Sequence, residues 1–587
     1  MKKLLYTFMA VAALGLTSCD DLFEPAKQNF KDLDQMVTEP DFAMGFLTRA
    51  YGALSGYYNN TEYATDNAVV NQNGDGFRNM ATGGWTASTW TGINEWSGSY
   101  AGIQYLNQLL SKIDEVEWSA DPERRAMLAQ RLHGEALGLR AILHYQLLKA
   151  HAGYNSAGEL LGVPYLESYL GANDDMNAAM TRPAFKDCVE KIMSDLNKAI
   201  EMLPLDYEDE TEVPEKYRHL TQDVAIYNRT MGAKFRQLVS GRIAQAYLSR
   251  VTLLAASEGY GSTLSWESAA EAAADLLKEN DGIAGIAKGS YEYYAGSIAD
   301  NKNYEEGRNP AEIIWRGNTE FNNGTEKDNL PPSVNGNGRM NPSQNLVDAF
   351  PMKSGYPISV AADYNAADPY ANRDPRFYAY IIYNGSTNVG VNKATISTVD
   401  GTTDGIGGVE QRSSRTGYYM KKRLRMDVNC TPGSESSQNH IAPRVRYTEI
   451  YLNYAEAANE AYGPKGAASN GFSAYDVIKA IRERAGLGGA DGDAYLEECA
   501  ASPVKMRELI RNERRIELCF ENFRFWDLRR WKLNLNEGVK GIEWKADGTY
   551  EIINVEDRDF MDYMNYPPIP QSEILKYSNL QQNNGWH

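Results

Sequence analysis

From Tyr57 to Trp96 the chain reads YYNNTEYATDNAVVNQNGDGFRNMATGGWTASTWTGINEW. Three indoles, Trp85, Trp90 and Trp96, stand here among Asn67, Asp75, Arg78 and Asn79. Indole and phenol rings stack on the apolar C–H faces of sugar rings, while amides, carboxylates and guanidinium groups bind hydroxyls. The glycines leave the segment too open to bury every ring, so Trp85 and Trp90 are expected to face water and touch a ligand. Replacing either with alanine would then weaken retention by over roughly tenfold. Trp96 has a competing job, because SYAGIQYLNQLL follows it as a helix. Tyr291, Tyr293, Tyr294 and Tyr304 form a second aromatic group with the same potential. Trp315, inside AEIIWRG, reads as a strand residue packed in a core.

Catalytic chemistry finds less support. Glycoside hydrolysis needs two carboxylates flanking a bond, and 78 acidic residues distinguish no such pair. Glu456 and Glu460, four apart on one helix, read as a solvated or ion-paired face. There is no G-x-S-x-G, H-E-x-x-H or Walker loop. His144 and His151 lie seven apart on one helix, too few ligands to hold zinc, and no C-x-x-C pair occurs. No enzyme activity, cofactor or metal is therefore expected.

RNERRIELCFENFRFWDLRRW (511–531) is the most charged and aromatic stretch. Seven basic and four acidic groups interleave over residues 511–532, whereas a nucleic-acid patch would be basic without such partners. Leu509, Ile516, Phe520 and Phe523 recur at helical spacing. Glu521, Arg524, Asp527 and Arg530 alternate in sign every three residues, and Arg514 and Glu517 are spaced to pair. The expectation is a scaffold helix stitched by its own ion pairs. The net charge of −19 also repels a polyanion at long range, so nucleic acid is excluded as a partner.

The first residues, MKKLLYTFMAVAALGLTSC, carry Lys2 and Lys3, an apolar run from Leu4 to Leu16, then small residues and Cys19. That is a secretory signal, too short for a bilayer span. Leu16-Thr17-Ser18-Cys19 resembles the bacterial lipobox, which implies cleavage before Cys19 and its lipidation. Asp20 and Asp21 follow, as in surface lipoproteins of Bacteroidetes-like bacteria. The expected state is an outer-membrane lipoprotein facing the cell exterior, with a soluble body. Cys188 and Cys519 fall in apolar helical patterns and read as buried hydrophobes; pairing among Cys188, Cys430, Cys499 and Cys519 is left open by spacing.

Helical periodicity dominates both halves. It predicts helices over 124–152, 185–203, 238–256, 266–277, 447–461 and 474–484, with Pro204 stopping the second. Small residues among them (Gly134, Ala136, Gly138, Ala141) let neighbours approach closely, as in tetratricopeptide-type stacking, although no clean period is present. Residues 57–98 and 286–443, rich in Gly, Asn, Tyr, Ser and Pro, read as long loops and short strands that carry function.

Several stretches resemble the SusD/RagB family of outer-membrane nutrient-binding lipoproteins. NERRIELCFENFRFWDLRRW is similar to that family's C-terminal signature. GEALGLRAILHYQLLKAHAG with GVPY (162–165), NPAEIIW (309–315), NPSQNLVDAFPMKSGYPI (341–358), RDPRF (373–377), RYTEIYLNYAEAANEA (446–461) and IRERAGL (481–487) follow in family order. The tail YPPIPQSEI…NLQQNNGW resembles the terminal family pattern, with Asn584 where Pro commonly precedes Gly585. The resemblance implies a mainly α fold: a tetratricopeptide-like helical lobe beside a loop-rich lobe with short strands. Its expected organisation is a signal peptide (1–18), an N-terminal helical region (19–285) carrying the 57–98 ligand loop, and a C-terminal region (286–587), loop-rich to 443, helical over 444–535, then extended. It further implies an oligosaccharide binder that serves a SusC-like TonB-dependent transporter. A peptide-binding relative, or a tethered glycoside hydrolase, is the alternative.

Overall fold

The computed structural model describes residues 33–56, 58–89, 91–289, 292–294, 307–489 and 492–586. The protein is mainly helical. Its frame consists of α1 (Pro40–Gly52), α2 (Trp96–Leu110), α3 (Pro122–His151), α4 (Phe185–Met202), α5 (Gly241–Ala256), α6 (Trp266–Lys278), α7 (Tyr447–Tyr462), α8 (Ala474–Ala485), α9 (Pro503–Glu517) and α10 (Arg524–Arg530). Helix starts follow local chemistry: Asp121 accepts from the Glu123 and Arg124 amides with Pro122 at the first turn, and Ser473 with Asp476 forms a reciprocal capping box. The segment expected to begin at Leu238 starts instead at Gly241, where Ser240 caps the helix after the left-handed Gln237.

Each helix from α1 to α6 packs on its predecessor, and α6 packs against α7, which in turn contacts α8 and α9. The row is thus continuous across the loop-rich insertion between α6 and α7. One apolar core runs through it, from Leu47 and Ile103 through Leu143, Val189 and Val251 to Ile450, Val477 and Leu509. The small-residue seam has a measurable role. A Cβ on Gly138 would sit 2.7 Å from Val239, and one on Gly134 would sit 2.7 Å from Leu203, so alanine at either would force α3 away from its neighbours.

A second core lies under the insertion, built from Phe350, Phe377, Tyr380, Ile381, Tyr418 and Tyr419. Its backbone is held by short antiparallel ribbons. Ala68–Val70 pairs with Met340–Pro342, Glu320–Asn322 with Gln438–His440, Ile313–Arg316 with Pro443–Arg446, and Val539–Trp544 with Tyr550–Glu556. The first ribbon draws the N-terminal loop segment onto the insertion. Trp315 is buried in its strand, and its Nε1 donates to the Gln237 carbonyl.

The 511–531 stretch corrects one expectation: it is two helices, not one. The chain turns between α9 and α10 with Phe520 and Asn522 in the left-handed region, and the Phe520 amide donates to the buried Glu62 carboxylate. Asp527 and Arg530 pair at 2.8 Å as their spacing suggests. Most of the other charges reach across the molecule. Glu517 meets Arg376 (2.9 Å) and Arg484 (3.1 Å); Glu513 meets Arg376 (2.8 Å) and Arg482 (2.6 Å). Glu521 meets Arg446 and Lys422, Arg514 meets Asp527, Arg524 meets Asp66, and Arg530 meets Glu456. Burial alone would raise the Glu517 carboxyl, but Arg484, Arg376 and Arg446 overcome it and hold the group at about 2. The charges form a buried network between the two cores rather than a solvated stripe.

Candidate functional site

The expected tryptophan platform does not form at Trp85 or Trp96. Trp85 is 3% exposed. Its ring packs edge-on against Phe560 (6.2 Å) and Trp586 (4.9 Å) and lies 6.4 Å from Phe525, under the Arg529 guanidinium. These partners come from the far C-terminal end of the chain, so the glycine-rich loop is covered from outside. Trp96 is fully buried at the start of α2, against Tyr100 and His151. Trp90, Tyr291, Tyr304 and Cys19 lie outside the described residues.

The polar members of the set divide. Asn67 is buried, donating to Glu62 and accepting from Arg515 Nε at 2.7 Å, so it braces the turn between α9 and α10 instead of meeting a ligand. Arg78 is tied to Glu556 and Asn73. Asn79 is exposed, and its carbonyl accepts from the Gly84 amide. Asp75 caps the short helix Gly76–Ala81 and also lines a surface hollow.

That hollow is where the two aromatic segments meet. The Tyr58 and Tyr293 hydroxyls are 3.1 Å apart. Tyr293 is buried, against the expectation of ligand contact, and supports Tyr58 from behind. The Arg423 guanidinium covers one face of the Tyr58 ring at 3.4 Å and donates to the Phe520 carbonyl. Arg423 holds a left-handed backbone conformation, which aims its side chain across the tyrosine.

Two adjoining hollows, of about 490 and 240 Å³, share Tyr58, Asn322, Thr325 and Arg423 in their walls and together form one groove. Tyr63 and Asp75 line its first part, with Gln72 and Arg339 at the edge; Tyr294, Glu320 and His440 line its second. The Asn322 amide donates to Glu320 at 3.1 Å, which fixes its orientation toward the groove. His440 faces Glu326 at 2.9 Å; burial opposes its protonation, but the carboxylate prevails and raises its pKa. Phe321, between Glu320 and Asn322 on the same strand, is 70% exposed, but alternation along the strand turns its ring to the face opposite the groove. The groove therefore combines phenol walls, oriented amides and charges of both signs. This is a chemistry suited to hydroxyl-rich ligands with apolar faces.

Sequence reasoning missed Tyr58, Asn322 and Arg423, which no local pattern marks out.

The remaining candidates are structural. His144 stacks on Tyr165 at 3.8 Å and bonds the Arg140 carbonyl, while His151 bonds the Pro568 carbonyl. Glu460 pairs with Arg507. Cys188, Cys430, Cys499 and Cys519 are buried free thiols. No helix among the described residues is long and apolar enough to cross a membrane.

Comparison with known proteins agrees with this architecture. Residues 299–586 match the model of the SusD family, and residues 31–226 match a second model described as starch-binding associating with outer membrane. A SusD-like protein from Bacteroides fragilis NCTC 9343 superposes with a TM-score of 0.68 at 25% identity, covering 95% of this chain and 99% of that one. A SusD-like carbohydrate binding protein of the same strain gives 0.66 at 23% identity, covering 92% and 99%. SusD-like protein P2 of Formosa agariphila is 33% identical over 154 residues, which is 26% of this chain and 26% of that relative's length. Fold, order of motifs and both matched regions converge: the chain belongs to the SusD family.

Proposed function

We propose that this chain is a cell-surface lipoprotein that captures oligosaccharides in the groove around Tyr58 and passes them to a SusC-like TonB-dependent transporter, without catalysing a reaction. The observation that carries the reading is the groove itself, with Asn322, Asp75 and Arg339 beside the phenol walls of Tyr58 and Tyr63. The carbohydrate binding named for the Bacteroides fragilis relative supports it, as does the outer-membrane association in the family description. The Leu16-Thr17-Ser18-Cys19 leader supports a lipid anchor at Cys19. Stacking and hydrogen bonding in an open groove give micromolar-class affinity, ~7–8 kcal/mol, which suits a ligand that must be released to a transporter.

The test is native affinity electrophoresis of the mature protein against a panel of neutral and acidic polysaccharides, with the eluted glycan analysed for cleavage. Retention on at least one glycan, recovered intact, is expected. Release of shortened products would replace the reading with hydrolysis. Retention on no glycan together with capture of a peptide pool would turn it to the peptide-binding alternative.

A further inference from the structure

A second cavity lies deeper, at the seam where α3 and α5 meet the turn into α10. It has a volume of about 170 Å³, room for five or six waters at ~30 Å³ each, or for one sugar ring. Tyr58 stands between it and the groove, lining both.

Its charge balance is opposite to that of the whole chain. Six cations line it (Lys149, Arg250, Arg444, Arg446, Arg514, Arg530) against four carboxylates (Glu95, Glu449, Glu521, Asp527), a formal +2 within a chain of −19. Nearly all of these charges are engaged. Arg250 pairs with Glu449 at 2.6 Å, Arg446 with Glu521 at 2.8 Å, Arg514 with Asp527 at 2.8 Å, and Arg530 with both Asp527 and Glu456. Arg444 donates to the Ser55 carbonyl, and Glu95 accepts from Gln146. Lys149 differs. Among the described residues its Nζ has no hydrogen bond and no carboxylate partner. Its neighbours are rings, with Trp526 4.8 Å and Tyr145 6.0 Å from the ammonium.

A half-buried ammonium with no carboxylate in ion-pair contact is costly unless something supplies one. Burial lowers the Lys149 pKa to about 8, against the pull of Glu95 and Glu449. The ring walls offer an apolar surface to a pyranose face, and Asn59 and Gln146 line the same space to meet hydroxyls. With Glu95 counted the lining still carries a formal +2, and one added negative charge reduces that excess.

The geometry points to a second binding site here, for a single sugar residue bearing one negative charge, with Lys149 as its counter-ion and Trp526 and Tyr145 as its walls. The charge can be a carboxylate or a sulfate ester; the shared chemistry is a monoanion on a pyranose. The site is distinct from the groove and does not depend on the groove's ligand.

Isothermal titration calorimetry on the full mature chain tests it, with glucuronate, galactose 6-sulfate, glucose and acetate as probes. At least one acidic sugar should bind ten-fold or more tighter than both glucose and acetate, and the stronger of the two identifies the anion. Lys149→Met should abolish that preference and Lys149→Arg should retain it, whereas Asn322→Ala, in the groove alone, should leave it unchanged. Equal binding of glucose and the acidic sugars, equal binding of acetate, or a preference that survives Lys149→Met would each overturn the proposal. Should Lys149→Met fail to fold, the wild-type comparison and Lys149→Arg still decide. Loss of groove binding in Asn322→Ala, with the acidic-sugar preference intact, would separate the two sites.

Discussion

The hydroxyl of Tyr58 lies 3.1 Å from that of Tyr293, 235 residues further along the chain. This contact joins the N-terminal loop segment to the insertion and sets Tyr58 beneath the Arg423 guanidinium. Whatever the groove binds must meet a surface made by both halves.

Groove variants follow from that geometry. Asn322→Ala removes a side chain that lines both hollows and has no core role, and is expected to weaken glycan retention about tenfold or more while leaving the thermal midpoint unchanged. Tyr58→Phe should weaken it less, through loss of the hydroxyl alone. Affinity electrophoresis beside calorimetric melting checks both; full retention in Asn322→Ala would remove that amide from the site.

Trp85→Ala should act on stability. Its indole fills a pocket among Phe525, Phe560 and Trp586, and emptying it costs about 3–5 kcal/mol. Urea denaturation should show the loss, with glycan affinity of the folded fraction intact. Weakened binding at unchanged stability would restore Trp85 to the ligand.

Glu517→Gln removes the charge that faces Arg376, Arg446 and Arg484 in the interior. Leaving buried guanidinium groups uncompensated costs about 3–5 kcal/mol. Because the folded carboxyl sits at about 2 against an ordinary 4.5, its contribution is present above pH 4.5 and is lost as pH falls toward 2. The difference in unfolding free energy between wild type and variant should therefore shrink on acidification below pH 4.5. A constant difference would contradict the pairing.

Two buried histidines set a second slope. Burial, with Arg140 nearby, holds His144 at about 3, and burial with Arg182 nearby holds His151 at about 4, against an ordinary 6.5. Below pH 6.5 the unfolded chain takes up protons that the folded one refuses, so stability falls as pH drops from 6.5 toward 4. Glu62 acts in the other sense between pH 4.5 and 7, because burial raises it to about 7. The clean readout is the difference between wild type and His144→Phe: the variant's urea midpoint should change less between pH 7 and 5. Identical pH slopes would show that His144 titrates normally.

The helical frame was legible because its apolar positions recur at helical spacing over long runs; α3, α4, α6, α7 and α8 lie within a few residues of the expected bounds. The break after Glu517 was not legible. The apolar and charged pattern continues at helical spacing through Phe523, while the reversal is stabilised by contacts with Glu62 and Lys422, far away in sequence. The groove was legible as a region but not as residues. Asp75 and the Tyr293–Tyr294 pair do reach it or its support. Trp85 looked exposed because its covering partners, Phe560 and Trp586, close over it only in three dimensions.

The most direct test of the central claim is a crystal structure of the mature protein with the best-retained oligosaccharide. Sugar rings are expected against Tyr58, with hydroxyls bonded to Asn322 and to Asp75 or Arg339. A glycan seated on another face, with the groove around Tyr58 holding only water, would contradict it.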